Sequence, residues 1–466
     1  MVRNSLDWKS SGSYCGRAAV LMLIACLANL AAAQSPAPVS IGQLLTVPAT
    51  SGIWNMQIET QSGRLAMMRI SNNFPDLASP LPYVYDKSAM LREASRKLAN
   101  LDLLRKRVAV LEGALRRDKP AFFPEYGNTL REVALTLDQG DLLASAPLQR
   151  HLPVLKALPE YTNILLLVPT PLIEAVQAQL QQENLALRTI LIPVQTQVSA
   201  HGATATPTES SARWIRDGML VSKLGGSSVI YAPIAYKQMS DISVSETAFL
   251  YELAFSRRIV LPLPLFIRGG NFTIAESDAI KYGFIGENEI LLNESAFLQS
   301  FGFKPPRHAF LEVLRVLSGV DEVVVLPNTP NFHQIDLALV ALGNMNVGVI
   351  DSLDPLAEAD AIALARIRAT LTDLGFTVAP IPSSAARIEA FRSSVNGIAF
   401  VDLSHQQHTI LLPLFPDETF TANGAATDLN TLIREAYGKL GYRTVWIDDR
   451  VDNLKGSIRS ILNELD

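Results

Sequence analysis

Leu371–Ile381, LTDLGFTVAPI, and Tyr437–Ile447, YGKLGYRTVWI, are one element written twice. Each reads as the end of an amphipathic helix, a stop at Leu-Gly, an aromatic residue and an apolar strand. Glycine suits the left-handed cap where a helix turns into a strand. The first copy predicts a helix over Ala361–Leu374, a strand over Phe376–Pro380, and a hairpin of Val395–Leu403 with His408–Phe415. The second predicts a helix over Leu429–Leu440 and a strand over Tyr442–Ile447. Repetition of a unit this size implies copies set around an axis, each covering its neighbour's apolar face.

Working outward, looser copies appear. Thr162–Val168 reads as a strand, Pro171–Asn184 as a helix and Ala186–Val194 as a second strand. Trp214–Lys223 and Ser228–Pro233 make a hairpin across Gly225-Gly226, and Arg258–Pro264 leads to Gly269-Gly270-Asn271. Residues 149–466 therefore form one repeating α/β domain. Residues 34–148 form a small α+β region with a hairpin of Trp54–Glu59 and Arg64–Ile70. Its long helix, 87–119, carries Leu91, Ala94, Leu98, Leu101, Val108, Leu111 and Leu115 at helical spacing and ends at Pro120. That stripe packs on its own domain or forms a seam between chains, so an oligomer through 87–119 stays open.

The chain's N-terminus reads differently. Arg3, Lys9 and Arg17 precede the apolar run Ala18–Leu30, and Ala31-Ala32-Ala33 supplies a small-residue cleavage site. Residues 1–33 are thus expected to be a secretory signal, with a periplasmic or secreted destination. Leu23-Ile24-Ala25-Cys26 is the competing lipoprotein site; the apolar residues that follow it favour cleavage near Ala33. No later segment is apolar for long enough to span a bilayer. The chain has two cysteines, Cys15 and Cys26, both inside the signal, so the remainder has no disulfide and no thiolate. A net charge of −5 with 18% charged residues gives no electrostatic footprint for nucleic acid.

Chemistry centres on Ser211–Leu220, SARWIRDGML. Asp217 follows Arg216 and Trp214, and an acid beside an aromatic ring cradles a planar cation: the carboxylate takes N–H donors while the ring covers the face. A surface Arg–Asp pair at a strand end is the plainer account.

Taken in order, WxRD, GGN, an H/Q-x-D strand, "SVN…LP.F.D" and a Gly-Tyr strand running to a Gly-Ser-Ile terminus resemble the guanidino-group-modifying (pentein) superfamily. The sequence is most similar to agmatine deiminase and the bacterial type of peptidylarginine deiminase, over roughly residues 150–466, about two thirds of the chain. The resemblance implies a five-bladed α/β propeller with its site in the central channel. It also implies a guanidino or arginine-like small molecule or peptide as ligand, with no cofactor and no metal. On that alignment Asp217 holds the guanidinium beside Trp214 and Arg216, Asn271 lines the channel, and Asp336 takes the second side of the cation.

The departures matter as much. Arg268 stands where the family has an acid, reversing the local charge. Anchoring on Asp336 puts Gln334 at the histidine position, with His333 one residue off and, on a strand, facing the other way. Ser460 stands at the cysteine position. Gln cannot shuttle a proton, and a serine hydroxyl is a weak nucleophile without an adjacent base. The leading expectation is a guanidino-binding protein without deiminase chemistry. The alternatives are a non-thiol hydrolase of C–N bonds in guanidino or amide substrates, and a structural or assembly protein. His405 and His408 in SHQQH read as a solvated hairpin turn with no carboxylate in the same turn.

Overall fold

The computed structural model describes residues 87–121, 126–137, 146–194, 215–225, 227–234, 259–415, 419–422, 425–448 and 458–465. The expected signal over 1–33, the hairpin of Trp54–Ile70, and Trp214 lie outside these, as do the side chains of Asp217 and Ser460.

In chain order, helix Lys87–Leu115 leads to β1 (Pro120–Ala121) and β2 (Glu132–Thr136). Helices Leu152–Ala157 and Ile173–Gln182 precede β3 (Asn163–Pro169) and β4 (Thr189–Val194) respectively. Next come β5 (Leu220–Leu224), β6 (Ser227–Ile234), β7 (Ile259–Phe266), β8 (Phe272–Ser277) and β9 (Ile280–Gly286). Helices Glu287–Phe301 and Arg307–Ser318 lead to β10 (Glu322–Leu326). The pair β11 (Leu339–Gly343) and β12 (Asn346–Ser352) is followed by helix Glu358–Asp373 and β13 (Thr377–Ser383). The pair β14 (Ile398–Asp402) and β15 (Gln407–Leu414) is followed by the ribbon β16 (Thr419–Ala422) and β17 (Ala425–Asp428). Helix Leu429–Lys439, β18 (Arg443–Asp448), helix Ile458–Ile461 and β19 (Leu462–Glu464) complete the chain.

The described strands form five sheets of three or four strands and one two-stranded ribbon. The sheets share one wiring: an antiparallel pair whose second strand takes a third in parallel. This holds for β5-β6-β7, β8-β9-β10, β11-β12-β13 and β14-β15-β18. In the fifth the pair is made by the two ends of the domain: β19 runs antiparallel to β2, which pairs in parallel with β3 and that with β4. A parallel neighbour requires a crossover, and helices supply it in the described connections.

Local chemistry accounts for the joints. Gly375 (φ +85°) and Gly441 (φ +82°) hold the left-handed backbone that the repeated Leu-Gly stop anticipates. The β8–β9 and β11–β12 turns put Asp278-Ala279 and Asn344-Met345 at positive φ on both central residues, the geometry whose twist matches the flanking strands.

Two expectations need revision. The division at 148/149 falls between hydrogen-bonded neighbours, because β2 lies between β19 and β3, and β1 pairs with β5. Helix Lys87–Leu115 also buries only part of the stripe read in the sequence: Val108 and Leu111 are buried, and Leu101 and Leu115 pack partly buried on the same core. Leu98 is 49% exposed, while Asn100, Leu104, Arg107, Val108, Leu111 and Ala114 are buried. That face joins the core cluster holding Leu263, Phe266 and Phe297. Its polar members are paired: Asn100 Nδ2 donates to the Ser300 carbonyl at 3.1 Å, and Arg107 Nη1 to the Ala232 and Leu263 carbonyls at 3.3 Å each. The helix is laid on its own domain.

Candidate functional site

Five short segments each lead into a strand that opens an antiparallel pair. They are 215–218 before β5, 269–271 before β8, 335–337 before β11, 393–397 before β14 and 458–461 before β19. The 215–218 turn touches both 269–271 and 458–461, and 269–271 touches 335–337. Ser393 Oγ donates to the Leu337 carbonyl at 2.9 Å. Ile398 and Ile458 share one core cluster, and helix Ile458–Ile461 contacts β15. Contacts therefore link 458–461, 215–218, 269–271, 335–337 and 393–397 in series. Asp217, Asn271, Asp336 and Ser460 each sit on one of them.

Asp336 lies in the 3-10 turn Ile335–Leu337 and is completely buried. A strand was expected here, but residues 331–338 are turn and 3-10 helix, and the strand starts only at Leu339. Strand alternation therefore does not set the directions of His333 and Gln334. His333 is half-buried and meets Phe391 edge-on, with ring centroids 5.1 Å apart, and its carbonyl accepts from Asn288 Nδ2 at 2.5 Å. Gln334 is buried two residues before Asp336.

Asn271, expected to face a ligand, has its amide engaged within the protein. Its Nδ2 donates to Asn288 Oδ1 at 2.8 Å and Glu289 Oε2 at 2.9 Å, and its Oδ1 accepts the Ile335 amide at 2.8 Å. It ties the Gly-Gly turn to the turn that carries Asp336. The charge reversal expected at Arg268 is likewise cancelled. Glu289, completely buried in the first turn of helix Glu287–Phe301, accepts Arg268 Nε at 3.0 Å and Nη2 at 2.8 Å, and the Arg268 amide at 2.8 Å. Nothing in the spacing of the sequence announces that partner twenty-one residues on.

Gly269 is required where it stands. A Cβ there would lie 3.0 Å from the Met219 carbonyl oxygen and nearer still to that of Arg216. The Asp217 turn and the Asn271 turn thus pack backbone to backbone, a closeness only glycine permits.

Arg216 is buried, and it lines a cavity of about 50 Å³ with Tyr231, Phe272, Leu314 and Glu464. Glu464 is also buried, and Asn128 Nδ2 donates to it at 2.9 Å. Burial pushes the Glu464 carboxyl up, against the Asn128 hydrogen bond and the charges of Arg216 and Arg459, which pull it down. Arg459, next to Ser460, donates to Thr273 Oγ1 at 3.1 Å, and burial lowers its pKa to about 10. Glu464 and Arg459 were missed in the sequence because their hydrogen-bond partners, Asn128 and Thr273, lie more than a hundred residues away.

The paired histidines are not one turn. His408 lies on β15 opposite Val401, whereas His405 Nδ1 meets Asp402 Oδ2 at 2.7 Å, a carboxylate at the end of β14 that Arg443 Nη2 also reaches at 2.9 Å. Among the described residues no group of three or more His, Cys, Asp or Glu side chains is arranged to hold a metal ion, and no helix is long and apolar enough to cross a membrane.

No protein-family model matches the sequence, and no curated protein matches it. Solved structures do. Agmatine deiminase of C. jejuni superposes with a TM-score of 0.53 at 14% identity, over 75% of this chain and 97% of that one. Its cysteine-to-serine variant with substrate bound superposes with a TM-score of 0.54 at 13% identity, with the same coverage. A structural-genomics target described as a candidate agmatine deiminase gives a TM-score of 0.56 at 14% identity, over 74% of this chain and 96% of that one. The motif resemblance to the pentein superfamily thus holds at the level of the fold.

Proposed function

We propose that the protein binds a guanidino or arginine-like ligand where the five segments meet, and that it does so without deiminase chemistry. The five sheets are then five blades about that axis. The observation that carries the reading is Asp336: a completely buried acid, on a turn pinned by Asn271 to the Gly-Gly segment and by Ser393 to the next sheet. A carboxylate on such a turn can take the paired N–H donors of a planar guanidinium.

Thiol chemistry is not available to this chain after Cys26, and Gln334 offers no proton transfer at the histidine position. With Ser460 at the cysteine position, the nucleophile and its base are both replaced. Bacterial agmatine deiminase is the structural likeness; recognition of the cation is what this chain keeps of it. Residues 1–33 fit export to the periplasm or beyond.

Calorimetry on the protein lacking residues 1–33, with agmatine, arginine and an arginyl peptide, tests the reading. Binding that Asp336→Asn abolishes is expected, with no release of ammonia. Silence toward all three at millimolar concentration removes the ligand claim. Ammonia release lost in Asp336→Ala would instead establish a non-thiol hydrolase.

A further inference from the structure

Tyr231, on β6, lines the same cavity as Arg216 and is 1% exposed. Its Oη has no hydrogen-bond partner among the described residues. A buried tyrosine usually gives its hydroxyl a partner, and a hydroxyl left without one is unfavourable to the folded state. Burial also pushes the pKa of Tyr231 above the ordinary value, so the phenol keeps its proton and stands as a donor.

The cavity offers acceptors to match. Ser222 lies opposite Val229, and Leu220 opposite Tyr231, so the serine and the tyrosine stand on one face of the β5–β6 pair. The last turn of helix Arg307–Ser318 brings Leu314, Leu317 and Ser318 to the same space. Ser222 Oγ donates its proton to the Ala121 carbonyl at 2.8 Å, and Ser318 Oγ to the Leu314 carbonyl at 2.7 Å. Each serine oxygen therefore keeps lone pairs with which to accept. Leu263 and Phe272 complete an apolar wall with the two leucines. Arg216 and Glu464 also line the cavity, but they attract one another, so no net charge is asked of an occupant. At about 10–15 Å³ for a water-sized group, the volume of about 50 Å³ takes a molecule of about four non-hydrogen atoms.

We propose that this cavity is a binding site for a short-chain alcohol. One hydroxyl accepts from Tyr231 Oη and donates to a serine Oγ, while a chain of about three carbons lies against the leucines and Phe272. A carboxylate would accept from the phenol but bring no proton to the serine oxygens, and its charge would have to leave water. An alkane would leave Oη without a partner. Asp336 and Asn271 do not line the cavity, so the site is separate from the one proposed for the guanidino ligand. Gly269 does line it, so an occupant stands against the two turns that pack backbone to backbone.

Saturation-transfer NMR on the full chain with n-propanol, and with acetate as a charged molecule of similar size, tests this alongside thermal melts of the unliganded protein. Saturable binding of propanol is expected with a dissociation constant of about 1 mM, within what so few atoms can supply, with acetate weaker by about tenfold or more. Tyr231→Phe is expected to weaken propanol about fivefold. Without ligand it is expected to melt no lower than wild type, because no hydrogen bond within the protein is lost. Leu317→Phe, which fills the cavity, is expected to abolish binding and serves if the Tyr231 variant does not fold. Absence of saturable propanol binding at tens of millimolar overturns the proposal, as does acetate binding as tightly as propanol. Propanol binding that both variants leave unchanged places the alcohol elsewhere and overturns it too. A lowered melting temperature in Tyr231→Phe would mark the hydroxyl as a structural group holding internal water, and the ligand claim would fall.

Discussion

Arg268 and Glu289 form a forked ion pair, Nε and Nη2 both reaching one carboxylate oxygen while the Arg268 backbone amide takes the other. Glu289 also receives Asn271, so one buried carboxylate joins the Gly-Gly turn, the helix that follows and, through Asn271, the Asp336 turn. Removing the charge leaves a largely buried guanidinium without its partner. Glu289→Gln is expected to destabilise the fold by about 3 kcal/mol in denaturant unfolding. Arg268→Met with Glu289→Gln should cost less than the two single changes added together. Additive losses would show that the two side chains do not act as a pair.

Gly269→Ala addresses the same junction from the backbone. Its Cβ would meet two carbonyl oxygens, so either the 215–218 turn or the 269–271 turn has to move. A loss of about 2 kcal/mol or more is expected, together with loss of ligand binding. An alanine variant with wild-type stability and affinity would mean that the two turns have slack between them.

How much of this was legible beforehand depended on distance along the chain. The helix–strand copies at Glu358–Ser383 and Leu429–Asp448 were readable because periodicity, a glycine stop and an apolar strand are local signals. Asp336 stood out as a candidate because a motif order survives even where its members have changed. The Asp336 turn itself was misread as a strand, since Phe332, Ile335 and Leu337 are apolar residues that a turn buries as readily as a strand does. Neither β1 nor β2 was visible. Two and five residues carry little pattern, and their place is set by pairing with Lys223-Leu224 and with β3 and β19. The side chains of Glu289 and Glu464 gain their meaning only from partners that the fold brings beside them, Arg268 and Asn271 for the first and Asn128 for the second.

Asp402 provides a pH test. Burial pushes its carboxyl up, but the His405 ring, the Ser404 amide and the Arg443 guanidinium outweigh that and hold it below the ordinary range. A native pKa below the unfolded one gives stability that is full above the unfolded value of about 4 and fades as the pH falls through the native value. Asp402→Asn should therefore lower stability at pH 7 by about 1 kcal/mol, given how exposed its two partners are. The gap between variant and wild type should close in acid. A gap that is unchanged down to acid unfolding would assign the loss to packing.

Helix Lys87–Leu115 distinguishes a scaffold element from an assembly surface. Leu104 and Leu111 are buried against the sheet strand β7 and helix Glu287–Phe301, in the chain's own core. Truncating either removes apolar contacts and leaves a cavity, which costs about 2–5 kcal/mol at well-packed sites. Leu104→Ala and Leu111→Ala should each lower the denaturation midpoint by a corresponding amount, with the oligomeric state in light scattering unchanged. Val110 and Leu98 lie on the exposed side, and Val110→Ser should leave stability within about 0.5 kcal/mol of wild type. If the exposed substitution altered the mass of the particle while the buried ones left stability alone, the helix would belong to an interface between chains. The hydrogen bonds from Asn100 and Arg107 into Ser300, Ala232 and Leu263 argue for the opposite outcome, because they anchor it within one chain.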